Sequence, residues 1–432
     1  VPLQRASKVR YRSQDIWSPH QPRRRPRSAH RTSVRHIAGE QVNGCGELRW
    51  RNAERVRPRE RGTGGLLAFI SHGTGGLMRI VITGASGNLG SALLRRLTAT
   101  NDYAIVGLAR RLPDDGPGGD QVRWTSVDLS KEGCARVLRE AFRGADAVVH
   151  LAWGFQPTHD LRYLEALGVG GTRRVLEAVN SAGVPHLVHM SSVGAYSPKR
   201  DDSPVGEDWP TGGVPSSPYS RHKSAAERLL DAHERLGRGT LVTRLRPGIV
   251  GQRSAGSSLL RYGVPALVPA KAIDLLPVLP LDRGLAIPMV HADDVADAIE
   301  RVLQRKVPGA FNLAASTAVT TDGIAEALGV RAVHIPARVV RAAMAAAWHA
   351  RLQQVDPGWL DLGLAVPVLD SSRAARELNW SPSVDAMTVL RETLSGIRDA
   401  AADRTPVLRP RTVLGQLEEL VRRGPVSQRQ RP

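Results

Sequence analysis

The chain is poor in several things at once, and each shortage excludes something. It has two cysteines, Cys45 and Cys134, in 432 residues. That leaves no disulfide framework and no zinc-ligand spacing, and it suits a reducing cytosol. It has no uninterrupted apolar run of about 18 residues, the length a membrane helix needs. The apolar stretch 264–288 carries five prolines and several charges, so no membrane span is expected. The first residues are polar and basic with no apolar core, unlike a secretory leader. We expect a cytoplasmic protein. Lysine is scarce as well: six residues, against a Lys+Arg total of 60. A formal charge of +19 invites a nucleic-acid partner. So lopsided an arginine share, in a chain rich in alanine and glycine, reads instead as GC-rich codon usage, and no nucleic-acid partner is expected.

Methionine is absent before Met78. Residues 1–77 hold 16 Lys+Arg against 5 Asp+Glu and show no period of 2 or 3.6. Such a composition cannot bury enough apolar surface to offset chain entropy. We expect a disordered basic segment that arose from a misassigned start; the rival is a real basic arm. GTGGL occurs twice, at 62–66 and 73–77, but neither copy leads into a helical pattern, so both read as linker.

From Met78 the pattern changes. Residues 79–83 are a short apolar run, Gly84, Gly87 and Gly90 follow at three-residue spacing, and Leu89, Ala92, Leu93 and Leu97 recur at helical spacing. Strand, glycine turn and helix form the geometry that holds a dinucleotide pyrophosphate. Glycine permits the tight turn and close backbone approach, and the first-turn N–H groups face the anion.

Strands are expected at 103–108, 123–127, 147–151, 186–190 and 241–246, with helices at 130–143, 158–182, 215–236 and 293–304. Strands alternating with helices imply an α/β fold, a Rossmann-type doubly wound parallel sheet. NAD binders place an acid after the second strand to hold the ribose hydroxyls. Arg110 and Arg111 stand there, and two guanidinium groups suit a 2′-phosphate. We therefore expect NADP in preference to NAD, the alternative being a solvated strand end. Asp128 could accept from the adenine amino group or could serve as a helix N-terminal residue. Tyr219 and Lys223 are spaced i, i+4 and share a helix face. A nearby ammonium would lower the phenol's pKa and could also donate to the nicotinamide ribose. The Ser192 hydroxyl, at the end of the preceding strand, could hold the substrate oxygen.

These stretches resemble the extended short-chain dehydrogenase/reductase superfamily, NAD-dependent epimerase/dehydratase group, from about Met78 to Val389. The resemblance rests on TGASGNLG (83–90), DLS (128–130), HLA (150–152), HMSSVGAY (189–196), PYSRHK (218–223), RPGIVG (246–251), MVHADDVADAI (289–299) and DSSRAARELNWSP (370–382). It implies that Ser192, Tyr219 and Lys223 are catalytic. It implies that the glycines, Asp128, the 151–152 backbone and the Pro247 region contact the cofactor. With the residue readings above, the expected NAD(P) contacts are Gly84, Ser86, Gly87, Asn88, Leu89, Gly90, Arg110, Arg111, Asp128, Leu129, Leu151, Ala152, Lys223 and Pro247, and no metal is expected.

Three departures bear on substrate. Gly168 and Arg246 stand where many sugar-nucleotide epimerases carry Asn, and 286–288 lacks an arginine that many of them use. Arg246-Pro247 looks more like the family's reductases and hydroxysteroid-type dehydrogenases. The expected division is a cofactor domain at 78–250, rejoined by 289–315; a smaller substrate lobe from 251–288 and 316–400; and a polar tail at 401–432 with one amphipathic turn set at 413–421. In the loop 197–217, Asp201, Asp202 and Glu207 could touch substrate hydroxyls or simply be solvated. Asp294 reads as a first-turn helix carboxylate. The Ala-rich helix around 342–348 is lobe core or a homodimer face. The expected function is hydride transfer at a secondary alcohol or ketone carbon of a small molecule, a nucleotide sugar being one candidate. The alternatives are an NADPH-dependent carbonyl reductase or hydroxysteroid-type dehydrogenase and, further, a non-catalytic NADP-binding redox sensor.

Overall fold

The computed structural model describes residues 76–412, apart from 115, 156–157, 264–269, 276 and 354. The N-terminal expectations for 1–75, the Cys45 position and the 413–421 turn set lie outside these residues. The first half runs β1 (Met78–Thr83), α1 (Asn88–Leu97), β2 (Tyr103–Ala109), β3 (Val122–Ser126), α2 (Cys134–Phe142), β4 (Ala147–His150), α3 (Leu161–Ala182), β5 (His186–Met190), α4 (Pro218–Arg235) and β6 (Leu241–Pro247). It continues with β7 (Ile249–Gly251), α5 (Gly256–Gly263), β8 (Val278–Leu281), β9 (Ala286–His291), α6 (Ala292–Arg305) and β10 (Gly309–Leu313). Last come β11 (Ala318–Thr320), α7 (Thr321–Leu328), β12 (Arg331–His334), α8 (Ala337–His349), α9 (Gly358–Ala365) and α10 (Ala386–Arg398).

Seven strands make one parallel sheet in the order β10-β6-β5-β4-β1-β2-β3. The order reverses at β1: β2 and β3 lie to one side, β4 to the other. That reversal opens a crevice at the carboxyl ends of the strands, where ligands of such sheets bind. Thr83 and His150 are in register there.

Successive side chains of β1 face opposite sides of the sheet, and both sides are covered. Ile80 and Ile82 face Leu93, Leu94 and Leu97 of α1 and Val295, Ile299 and Val302 of α6. Val81 faces Leu138 and Phe142 of α2 and Val175 and Val179 of α3. All are fully buried, and each aliphatic side chain of this size contributes about 1.5–3 kcal/mol by leaving water.

The helix starts differ from the sequence expectation because short side chains bond the backbone first. Asp128 accepts from Ser130 N at 3.0 Å, and α2 waits until Cys134. Asp160 accepts from Tyr163 N and starts α3. Ser217 caps α4 by accepting from Ser220 N, with Pro218 at the first helical position.

Strand β9 lies in a three-stranded sheet with β7 and β11, while β10 returns to the main sheet beside β6. Asp294 does more than sit in a first turn. Its carboxylate accepts from Ser383 N, Ser383 Oγ and Val384 N, and its carbonyl accepts from the buried Trp380 Nε1 at 2.8 Å, pinning 380–384 to α6. Helix α8 buries none of its residues within this chain. Among the described residues, no helix is long and apolar enough to cross a membrane.

Candidate active site

A cavity of about 500 Å³ opens at the switch point. Every site residue expected from the sequence lines it: Gly84, Ser86, Gly87, Asn88, Leu89, Gly90, Arg110, Arg111, Asp128, Leu129, Leu151, Ala152, Ser192, Tyr219, Lys223 and Pro247. At one side is the glycine turn. Gly84 has φ +74°, and a Cβ there would lie 2.7 Å from Ala152 N. A Cβ on Gly90 would lie 2.4 Å from the Gly84 and Ala85 carbonyl oxygens, so α1 can approach β1 this closely only with glycine. Gln252 steadies the turn from outside, its Nε2 donating to Asn88 Oδ1 at 2.6 Å.

Beside it stand the groups that end β2 and β3. Arg111 donates to the Pro406 carbonyl at 3.5 Å. Burial, then the charges of Arg409 and Arg110 and, more weakly, Arg261, push its pKa down to about 10. Asp128 is turned into a loop with Ser130. Burial raises its pKa, but the Ser130 hydrogen bonds and Arg110 prevail and leave it below the ordinary value. The cavity-side segment 401–412, expected as polar tail, is packed here. Thr405 and Leu408 are fully buried, Arg261 donates to the Val407 and Arg409 carbonyls, and Pro406 and Val407 line the cavity.

On the other side, α4 delivers Tyr219 and Lys223. The phenol lies over Gly194, whose absent Cβ would be 2.9 Å from Tyr219 Cε1. Lys223 is 2% exposed, donates to the Met190 carbonyl at 2.9 Å and sits 3.7 Å above the Trp153 ring. The electrostatics correct one expectation. Burial pushes the Tyr219 phenol up to about 12, opposed by a hydrogen bond with Ser192, rather than Lys223 drawing it down. Burial likewise drives Lys223 down to about 7, with Glu227 opposing. Desolvation disfavours both charged forms and is the largest cause at each residue.

Behind the site, Glu227 is fully buried between Arg246, at 2.9 Å, and Arg244, at 2.8 Å, and accepts from Ser191 Oγ at 2.6 Å. Burial would raise its pKa, but the Arg246 hydrogen bonds and charge, with Ser191 and Arg244, hold it down to about 2. Arg246 also donates to Tyr196 Oη and the Glu207 carbonyl. It is therefore a brace for α4 and lies outside the cavity lining, whereas Pro247 does line it. The loop carboxylates stay out of the cavity too. Glu207 accepts from Asn312 N, Asp201 from Ser203 N, and Asp202 from Lys199.

Sequence reasoning missed the aromatic wall: Trp153, Phe155, Tyr163 and Trp359 line the cavity. The first two follow β4 directly, a placement that could have drawn attention; Trp359 gave no signal. Among the described residues no three His, Cys, Asp or Glu side chains gather to hold a metal.

The family model for the NAD dependent epimerase/dehydratase family matches residues 80–314. A UDP-glucose 4-epimerase from Mycolicibacterium smegmatis is 31% identical over 165 residues, 36% of this chain and 51% of the relative. Sterol demethylase protein B from Methylococcus capsulatus is 28% identical over 225 residues, 47% of this chain and 66% of the relative. The chain thus spans about half to two-thirds of these two relatives. The crystal structure of Thermus thermophilus UDP-glucose 4-epimerase complexed with NAD superposes with a TM-score of 0.55 at 24% identity, covering 75% of this chain and all of the other. With the switch-point crevice, the glycine turn and the extent of the family match, the chain belongs to the NAD-dependent epimerase/dehydratase family of extended short-chain dehydrogenases/reductases.

Proposed function

We propose that this enzyme transfers hydride between NADP(H) and the carbon of a secondary alcohol or its ketone, with Tyr219 as the proton-handling group. One observation carries the reading: a half-buried phenol and a buried ammonium, one helical turn apart, face the same cavity as the glycine turn.

The residues fit a dinucleotide. The α1 first turn and Gly84, Gly87 and Gly90 suit the pyrophosphate, Lys223 suits the nicotinamide ribose hydroxyls, and Arg110 and Arg111 suit a 2′-phosphate. Arg409 and Arg261 support the NADP preference, because a dianion there would offset the crowd of guanidinium groups that helps to lower the Arg111 pKa. When bound, the cofactor supplies or accepts the hydride. A phenol held at about 12 is protonated at neutral pH, which suits the direction of ketone reduction. Tyr219 Oη gives its proton to the carbonyl oxygen as the carbon gains hydride. Ser192 Oγ, bonded to that phenol, steadies the oxygen. Solvent returns the proton to Tyr219, so ketone, NADPH and one proton become alcohol and NADP⁺.

Tyr219→Phe tests this. Turnover is expected to fall by about 10²–10⁴, the range for a lost general acid, while NADPH binds within about twofold of wild type by fluorescence titration. Undiminished turnover would remove Tyr219 from the mechanism.

A further inference from the structure

The end of the cavity next to Tyr219 is walled by rings and aliphatic side chains. Trp359 lies 5.1 Å from Tyr219 and 5.1 Å from Phe155, centroid to centroid. Phe155 stands edge-on to Tyr219 at 5.9 Å, and Trp153 does the same at 6.4 Å. On α9, Trp359, Leu362 and Gly363 are spaced i, i+3, i+4, so one helix face turns into the cavity, and Val366, just past the helix end, joins them. Phe155 is 44% exposed, which makes the rim apolar as well.

Charge is distributed the other way. Among the described lining residues, the charged side chains are Arg110, Arg111, Asp128 and Lys223. The first three lie at the ends of β2 and β3. Lys223 is engaged with Met190 and Trp153 beneath the phenol. Among the described residues that line the cavity beyond Tyr219, none is a cation. A nucleoside diphosphate placed there would bury phosphate charge without a partner, which is strongly unfavourable. A neutral ring would instead shed apolar surface against four aromatic faces.

We propose that the substrate is a neutral, ring-bearing apolar ketone or secondary alcohol, laid against Phe155 and Trp359 with its oxygen at Tyr219 and Ser192, and not a nucleotide sugar. This rests on the hydride-transfer reading above and narrows it.

The test uses the full chain with NADPH. Tetralone, decalone and androstanone are compared with UDP-glucose, binding followed by calorimetry and turnover by nicotinamide absorbance. The ring ketones are expected to bind and be reduced, and UDP-glucose to do neither. Trp359→Ala should raise the ketone KM about tenfold, as expected for a buried aromatic anchor, and leave the NADPH KM unchanged. Trp359→Phe should restore most of the loss, and Phe155→Leu gives an independent check should Trp359→Ala fold poorly. Binding or turnover of UDP-glucose in place of the ketones overturns the inference, and so does failure of every ketone to bind an enzyme that binds NADPH. The two levels separate through Tyr219→Phe. If it abolishes turnover of a nucleotide sugar, hydride transfer stands and only the substrate class falls. If it leaves turnover intact, the underlying reading falls whatever the substrate.

Discussion

Lys223 and Tyr219 are displaced in opposite directions by one cause. Burial removes water from both, so the amine loses its proton easily and the phenol keeps its own. The sequence made their pairing legible through i, i+4 spacing, but it suggested that the ammonium would win. Burial is a tertiary property, and nothing in PYSRHK announces that this face is closed off by Trp153, Met190 and Trp359. The consequence is a pH dependence. Lys223 is cationic below about 7 and neutral above it. Its charge favours binding of the anionic cofactor, so kcat/KM for NADPH, which reports the free enzyme, should fall as pH rises through about 7. The phenol, at about 12, adds no second loss until far into the alkaline range. Lys223→Arg, which does not titrate in this window, should abolish the limb at whatever residual rate it retains. A limb that persists unchanged in that variant assigns the ionisation elsewhere.

At the scale of elements, the parallel strands were readable because strands buried on both faces are continuous apolar runs. Residues 186–190 coincide with β5, and the expectation for β1 misses by a residue. The helix starts were read up to four residues early because Asp128, Asp160 and Ser217 bond the backbone and delay helical geometry. Residues 153–155 and 359 were illegible as a wall because some two hundred residues separate them and only the folded chain joins them. The β1–α1 junction is the opposite case: three glycines specified it fully. Gly90→Ala is the sharpest probe of that junction. The new methyl would stand 2.4 Å from two carbonyl oxygens of the turn, and backbone cannot swing aside as a side-chain tip can. Forced overpacking of this kind costs about 1–3 kcal/mol. The variant is expected to lower urea-unfolding stability by that amount and to weaken NADPH binding, because the helix must lift off the strand to relieve the clash. Unchanged stability and unchanged NADPH affinity together would mean that the turn is looser than this geometry allows.

Across the whole molecule, the last described residues line the cavity beside the glycine turn and Arg111. Residues 403–412 follow α10, the far end of the substrate lobe, yet Pro406 receives Arg111 and lines the same cavity as the glycine turn. Leu408 is fully buried, and its N–H donates to Thr405 Oγ1 at 3.2 Å while its carbonyl accepts from Asp403 N at 2.9 Å, which curls the segment into a plug. Arg409 rides on that plug toward Arg111, whose pKa it depresses second only to burial. The C-terminal segment and the β2 end therefore build one basic pocket from opposite ends of the folded chain. If the 2′-phosphate of NADPH is what that pocket holds, removing either contributor should weaken NADPH and spare NADH. Arg409→Ala, a surface change that leaves the plug in place, is expected to raise the NADPH KM several-fold at low salt, an effect that shrinks as salt screens the exposed guanidinium. Arg111→Ala should act in the same direction and more strongly, because Arg111 is half-buried and bonded in place. Deleting residues 403–432 removes both the charge and the apolar plug, so its loss of NADPH affinity should exceed that of Arg409→Ala and be accompanied by a lower Tm. Steady-state KM values for the two nicotinamide cofactors, taken in parallel on each variant, decide the matter. Equal changes for NADPH and NADH would show that the guanidinium groups serve the fold and not the phosphate.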